Sequence, residues 1–275
     1  MRALLKNRAL LKISGKDSQD YLQNQLSNDI NKLNNVSVQI SAYCQHQGKI
    51  ISLFWVMRYE NSFLISFPKD LLEVVKSRLQ MFVIMSDVVI EDMSESYKQI
   101  GLIGEKQLNA YLINDHLSLL IDKSKEKNEV EVFENFEWSK ACIDSLLPEV
   151  HLATSEKLVP QMLNLDIDEV GVNFSKGCYP GQEVVARLHY LGSAKRRLFS
   201  FVSDSDMQVD DSLYCASSKT AMARGNRYKG SGIVVSRVKY NSLFYCLATL
   251  DVDLKNDEIT LNNQHGPKLK RINND

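Results

Sequence analysis

Ser175-Lys-Gly-Cys-Tyr-Pro-Gly-Gln-Glu-Val-Val-Ala-Arg-Leu188 is the stretch on which the reading of this chain turns. Pro180 suits the first position of a helix, where a missing N–H is harmless. Glu183 then lies in the first turn, where a carboxylate meets the positive end of the helix. Val184 and Leu188 share one packing face. Cys178 falls just ahead of the helix start with Lys176 close by, a setting that favours thiolate over thiol. Gly177 and Gly181 let the backbone turn tightly or approach a ligand closely. These residues alone leave two readings open: a reactive or ligand-facing cysteine, or a small residue buried in a tight loop. His189 follows on the same helix, but nothing in the chain folds it back. Cysteine-protease chemistry therefore lacks its base.

Working outward, strand and helix patterns alternate on the N-terminal side. Residues 10–13 read as a strand closed by Ser14-Gly15. Asp17 opens a helix with Tyr21, Leu22 and Gln25 at helical spacing. Residues 36–44 and 49–59 read as strands around a turn at Gln47-Gly48, and 62–67 as a third. Pro68 opens a helix to Phe82 with Leu71, Leu72, Val75 and Leu79 on one face, and 83–91 return to strand. A second cycle follows: a strand at 99–103, a helix at 106–113, strands at 117–121 and 130–136, and a helix at 138–145. The charged stretch 123–129 reads as a solvated turn. Two such cycles either side of residue 95 predict an α+β core of two related halves. Beyond Lys195 helical periodicity vanishes. Residues 197–203, 233–239 and 243–250 read as strands of a small β-barrel or sandwich. The expected organisation is an α+β region over 1–194, its halves exchanging near 95, and a β-barrel over 195–275.

Composition narrows the function classes. The chain has 275 residues, with 33 Lys+Arg against 34 Asp+Glu and a net charge of -1. That balance argues against a protein held on nucleic acid by bulk charge. Gly 12 and Pro 5 exclude collagen and low-complexity disorder. The basic, Leu-rich start is broken by Lys6, Asn7 and Arg8, and no apolar run is long enough for a signal peptide or a membrane span. A cytoplasmic protein is expected. The cysteines Cys44, Cys142, Cys178, Cys215 and Cys246 are odd in number and widely spread, which does not suggest a disulfide framework. There is no CxxC pair, so a zinc site lacks support. Cys44-Gln45-His46 reads better as a buried cysteine beside a surface histidine than as a metal ligand pair.

The string KGCYPGQEVVAR resembles the signature of the YgfZ-type folate-binding proteins of the aminomethyltransferase (glycine cleavage T-protein) superfamily. The resemblance extends to the segment from Ser14 to Asp29, to Cys44 followed by Gly48-Lys49, to Pro160-Gln-Met-Leu-Asn-Leu165, to Gly171-Val-Asn-Phe174, and to the segment from Tyr190 to Leu198. It covers roughly 10–60 and 138–200, in order and at suitable spacing. It implies an aminomethyltransferase-like α+β fold: two interlocked subdomains around a central funnel, closed on one side by a C-terminal β-barrel. It also implies tetrahydrofolate in that funnel. The implied role is in maturation or repair of iron–sulfur enzymes, with iron–sulfur client or assembly proteins as partners. Through one such enzyme it would affect tRNA modification.

A folate site needs an apolar slot for the pterin, amides for its edge and cations for the tail carboxylates. Trp138 matches by context an aromatic that relatives place near the ligand; its other reading is a core tryptophan. Gln161 and Asn164 suit the pterin edge, or turn and cap chemistry. Arg187, Lys176 and Lys49 suit the tail, whereas the run Lys195-Arg196-Arg197 reads as a solvated face. Cys178 is the expected reactive or ligand-contacting thiol, with Lys176, Gly177, Tyr179, Gly181, Gln182 and Glu183 shaping its loop. Two positions depart from the pattern. Arg8 stands where some relatives carry a Trp, which removes a stacking partner, and Asn24 replaces a Gly. The true aminomethyltransferase reads Gly-Gly-(Ile/Leu)-(Ile/Leu)-Asp-Asp where this chain reads Gly48-Lys49-Ile50-Ile51-Ser52-Leu53. A hydroxyl and an alkyl chain supply no carboxylate base near neutral pH. Glycine cleavage is thus disfavoured, and aminomethyl or other one-carbon transfer is the alternative to an accessory role.

Overall fold

A computed structural model describes residues 1–84, 86–105, 107–123, 135–218 and 230–272. In chain order the elements are β1 (Arg2–Leu4), β2 (Arg8–Ser14), α1 (Ser18–Gln25), β3 (Gln39–Cys44), β4 (Ile50–Tyr59), β5 (Ser62–Pro68), α2 (Leu72–Gln80), β6 (Val89–Asp92), β7 (Lys98–Ile103), β8 (Tyr111–Leu112), β9 (Leu117–Asp122), α3 (Asn135–Asp144) and α4 (Gln182–Leu191). Then come β10 (Arg196–Ser203), β11 (Ser212–Tyr214), β12 (Gly232–Tyr240), β13 (Leu243–Asp251), β14 (Ile259–Leu261) and β15 (Lys268–Ile272).

Two sheets form the α+β part. One has the order β3-β4-β5-β2-β6 and the other β1-β7-β9-β8. The chain therefore starts in the sheet of its second half: Arg2 pairs with Leu102 and Leu4 with Ile100, before β2 enters the other sheet. A parallel bridge between Ser37 and Leu112 ties the sheets again. The halves are interlocked, as the family resemblance implies. β4 explains the continuous apolar run in its sequence, because it is central and covered on both faces. On one face Phe54 stacks on Tyr43 and meets Phe67. On the other Trp55 meets Trp138 of α3 edge-on, with ring centroids 6.2 Å apart.

The third piece is a closed barrel, β10-β13-β12-β11-β14-β15. Its separate core includes Phe201, Met207, Leu213, Cys246 and Leu250. The turn between β12 and β13 is made by Asn241 and Ser242, both at positive φ, which suits the twist of a two-residue hairpin.

Four expectations need correction. Among the described residues of 83–91, strand pairing begins at Val89, because Asp87 is held in a turn by Asp17: Asp87 N donates to Asp17 Oδ2 and Asp17 N to Asp87 O; Met85 lies outside the described residues. The helix expected at 106–113 is instead a turn followed by β8. Leu108 is exposed there and gives a helix nothing to bury, and Asn109 has φ 77; Lys106 lies outside the described residues. Of the strand expected at 130–136, only Asn135 and Phe136 are described, and they begin α3; residues 124–129 of the expected charged turn also lie outside. Pro68 closes β5, and a short 3-10 turn (Lys69–Leu71) separates it from α2.

Trp138 lies flat against β7. A Cβ on Gly101 would sit 2.3 Å from its Cε3. Gly101→Ala is therefore expected to cost about 1–3 kcal/mol, seen as a lower urea midpoint at unchanged slope. Gly177→Ala, whose Cβ meets nothing within 4 Å, should stay within about 0.5 kcal/mol of wild type.

Candidate functional site

The signature turn is pinned at three points. Lys176 reaches across to the end of α1, where its Nζ donates to the carbonyls of Gln23, Leu26 and Asn28. Tyr179 is buried, and burial pushes its phenol up. Gly181 has φ 82 and presses on the β3–β4 turn, where a Cβ would lie 2.5 Å from Gln45 O and 2.6 Å from Gly48 Cα. Gly48, at φ 73, returns the contact toward Val184. Two turns thus meet backbone to backbone at the positions where the sequence offers glycine. Gly181, not Pro180, is the residue preceding α4, so Cys178 lies further from the helix start than its spacing suggests.

Between these anchors Gly177 and Cys178 face solvent. Among the described residues, which include all five cysteines, Cys178 is the exposed one. The reading of a small residue buried in a loop is therefore set aside. Burial pushes the thiols of Cys44 and Cys246 up to about 12.

The other expected ligand residues divide. Gln161 is buried, its Nε2 donating to Val185 O at 2.8 Å and its Oε1 without a partner. Asn164 has φ 60 and uses both ends of its amide on Leu198 of β10, which is turn and docking chemistry. Gln182 Nε2 lies 3.4 Å from the carbonyls of Lys176 and Gly177. Glu183 and Arg187 are exposed on α4. Arg196 and Arg197 are not a free basic face: they pair with Asp251 and Asp166. Ser52 and Leu53 are both buried in β4, and Ser52 Oγ has no hydrogen-bond partner.

Trp138 is elsewhere. With Arg8, Cys142, Glu149, His151 and Ser236 it lines a hollow of about 230 Å³ between the sheets and the barrel. No residue of 175–188 lines that hollow. Trp55, behind Trp138, stands five residues along β4 from Ile50 at the turn end, about 17 Å at strand rise. Of the signature, Pro180 borders a smaller hollow of about 130 Å³ with Tyr43, Cys44, His46, Met81 and Phe82. The expected single pocket holding both thiol loop and ring slot is thus resolved into two places.

The larger hollow has a charged wall that the sequence did not announce. Arg8 lies 3.7 Å above the Trp55 ring, so the residue read as a lost stacking partner stacks through its guanidinium. Its Nε donates to Ser66 Oγ at 2.8 Å and its Nη1 to Glu149. Glu149 faces His151 at 3.6 Å, and His151 faces Asp70 at 3.5 Å. Burial opposes the Glu149 charge, but Arg8 and then His151 outweigh it and hold the carboxyl below its ordinary range. Burial likewise opposes the His151 charge, and Asp70 and Glu149 together lift it to about 9. Asn135 also lines this hollow, and its buried Oδ1 has no hydrogen-bond partner. Arg8, Asp70, Glu149 and His151 carry no motif. The signal nearest to one was Arg8 itself, a charge at the start of a strand that also carries Lys12.

No protein-family profile matches the chain. It is 28% identical over 257 residues to an uncharacterized protein of Haemophilus influenzae, covering 90% of this chain and 88% of that one. It is 29% identical to the tRNA-modifying protein YgfZ of Colwellia psychrerythraea over 73% of this chain and 72% of that one. The tRNA-modifying protein YgfZ of Aliivibrio fischeri is 26% identical over 90% and 84%. In structure the chain is similar to the glycine cleavage system aminomethyltransferase T of Bartonella henselae, with a TM-score of 0.70 at 10% identity, over 98% of this chain and 84% of that one.

His151 is raised in the folded state above its ordinary 6.5. Its contribution to stability is complete below that value and is lost as pH rises through about 9. Thermal melts should therefore show stability falling between pH 7 and 10. In His151→Asn this portion of the slope should vanish. An unchanged slope in that variant would detach the histidine from the network.

Proposed function

This chain is a YgfZ-type protein of the aminomethyltransferase fold, and from that premise we propose that it is a tetrahydrofolate-binding accessory protein for iron–sulfur enzyme maturation or repair, acting indirectly on tRNA modification. The carrying observation is the hollow beside Trp138. It combines an aromatic wall, a carboxylate held charged, and a buried acceptor, Asn135 Oδ1, that lacks a donor. A pterin edge presents N–H donors, so the residues fit the group. At about 230 Å³ the hollow is below the roughly 300–1,000 Å³ of pockets that bury a drug-sized ligand. It suits the ring system, with the tail leading out.

The bound folate would supply a one-carbon carrier. Trp138 excludes water from one side of the ring. Glu149 and Asn135 accept from its edge, while Arg8 and His151 fix the Glu149 carboxylate. Arg237, on β12, lines the same hollow, but its guanidinium already faces Asp206 at 3.5 Å and donates to Gln208, so the tail carboxylates would have to displace those partners. Lys176 is not available for that task, its ammonium being engaged at the end of α1. Cys178 lies outside this hollow and serves a protein partner, either as a redox group or as a transient ligand to a cluster. One thiolate cannot hold a cluster alone, so the client supplies the remaining ligands.

The engagement of Arg196 and Arg197 in ion pairs supports an indirect route to tRNA rather than direct binding. No helix among the described residues is long and apolar enough to cross a membrane; a cytoplasmic setting is part of this proposal. One-carbon transfer is the second reading. The absence of a carboxylate at Ser52 and Leu53 disfavours it, and turnover of methylene-tetrahydrofolate by the isolated protein would restore it.

Calorimetric titration of tetrahydrofolate should give saturable heat with wild type. Affinity should fall about tenfold or more with Trp138→Ala and with the volume-conserving Glu149→Gln. No saturable heat with wild type would end the ligand assignment. In a strain lacking this protein, Cys178→Ser should fail to support a radical iron–sulfur enzyme; full rescue would remove the thiol from the mechanism.

A further inference from the structure

A second hollow, of about 350 Å³, abuts the one beside Trp138. Leu5 and Arg8 line both. What divides the two is the β1–β2 connection, from Leu5 to Arg8, and it serves each side differently. The Arg8 guanidinium donates to Glu149 in the first hollow. The Arg8 carbonyl accepts from Gln99, which lines the second. Asn7 lines the first and Lys6 the second. A ligand that leaves the ring slot past Asn7 therefore meets Lys6 next.

The two hollows differ in charge. Beside Trp138 the charges are paired internally, Arg8 with Glu149 and Glu149 with His151. The second hollow is lined by Lys6, Lys69 and Lys98, and among its described lining residues Glu95 is the one carboxylate. Lys123, just past β9, places its ammonium 5.8 Å from the ring of Tyr97, which also lines it. These lysines are exposed. They come from separate parts of the chain, and a backbone bond from Lys69 N to Asn7 O ties two of those parts together. Lys6 Nζ makes no hydrogen bond or ion pair among the described residues. Lys69 faces Glu95 at 2.9 Å, but Glu95 is 89% exposed, and a pair in solvent holds its partners weakly. A ligand carboxylate can take the place of Glu95. Lys98 stands opposite Asp122 in the β7–β9 register, which offsets part of its charge. The positive surplus is thus local, on a chain whose net charge is -1.

The aromatic side chain here narrows the kind of anion. The Tyr97 ring is buried, edge-on to Tyr59 and with its hydroxyl 3.3 Å from the Tyr59 hydroxyl. It presents no open face for a base to stack on, so a single-stranded nucleic acid would find only charge. A flexible run of carboxylates that begins in the neighbouring hollow fits better. Each γ-linked glutamate added to a folate tail brings one further α-carboxylate.

We propose that this second hollow binds the oligo-γ-glutamate extension of a folate, with Lys6, Lys69 and Lys98 as partners for its carboxylates and Lys123 beside them. The proposal rests on the reading of the Trp138 hollow as the ring site. It gives the tail a course that avoids Arg237, whose guanidinium is held by Asp206 and Gln208. Its consequence is a preference by tail length: polyglutamylated over monoglutamylated tetrahydrofolate. Because the ammonium groups stand in solvent, each contact adds only a few-fold in affinity, and the preference weakens with salt.

Calorimetric titration of the full-length protein with tetrahydrofolate monoglutamate and pentaglutamate tests this. At about 0.01 M salt, wild type should bind the pentaglutamate about tenfold tighter, as about three exposed ion pairs at a few-fold each imply. The ratio should shrink at about 0.15 M salt. In Lys6→Gln/Lys69→Gln/Lys98→Gln the two affinities should fall within about twofold of each other. All three positions are exposed, so the fold is retained. Lys255→Gln/Lys268→Gln/Lys270→Gln removes the same charge from exposed positions of the barrel segment and should keep the ratio. Equal affinities in wild type, or a ratio that survives in the first variant, would overturn the tail site while monoglutamate binding leaves the ring site standing. No saturable heat with either ligand would end the ring-site reading, and the tail site with it.

Discussion

The pairing of β1 with β7 is the constraint from which the rest follows. A chain whose first strand completes the sheet of its second half cannot bring either half to its native form alone. The two sheets are forced to share a boundary, and β2 must turn into the first sheet within a few residues of leaving the second. Arg8, the first residue of β2, is thereby carried into that boundary with its guanidinium buried. The hollow beside Trp138 exists because two sheets and a barrel meet there and no single element fills the gap.

A buried guanidinium is costly unless it is paired and its donors are satisfied. Here Ser66, Glu149 and the face of Trp55 receive it, and Gln99 closes the backbone side by donating to Arg8 O and Ala9 O. Glu149 and His151 then continue the alternation of sign out to Asp70 at the edge. Such a network contributes less to net stability than its contacts suggest. What it does is fix where a carboxylate stands in a cavity, and that is what recognition of a donor edge requires.

The signature turn solves a different problem. Its buried anchors hold the backbone while leaving the thiol in solvent, and they are drawn from remote parts of the chain: the end of α1 for Lys176 and the β3–β4 turn for Gly181. The spatial gap between this turn and the Trp138 hollow means that ligand and thiol need not act on the same atom. A ligand held between the sheets and a partner docking at the turn can be served by one chain at once.

The sequence by itself determined the elements whose residues bury a periodic face: β2, α1, β4, β5, β7, β9 and the barrel strands β10, β12 and β13. It also marked the signature turn, since glycine, proline and cysteine in that order carry their constraints locally. It misread the described residues of 83–88 and of 107–113, where an apolar pattern had nothing to pack against or a side chain from elsewhere took the backbone bonds. Only the tertiary structure decided that Lys176 points to α1 and not to a ligand, that Asn164 docks the barrel, and that Arg8, Glu149, His151 and Asp70 form one network. Those outcomes depend on which distant groups arrive within hydrogen-bonding distance. Spacing along a chain records only what neighbours in sequence can do for one another.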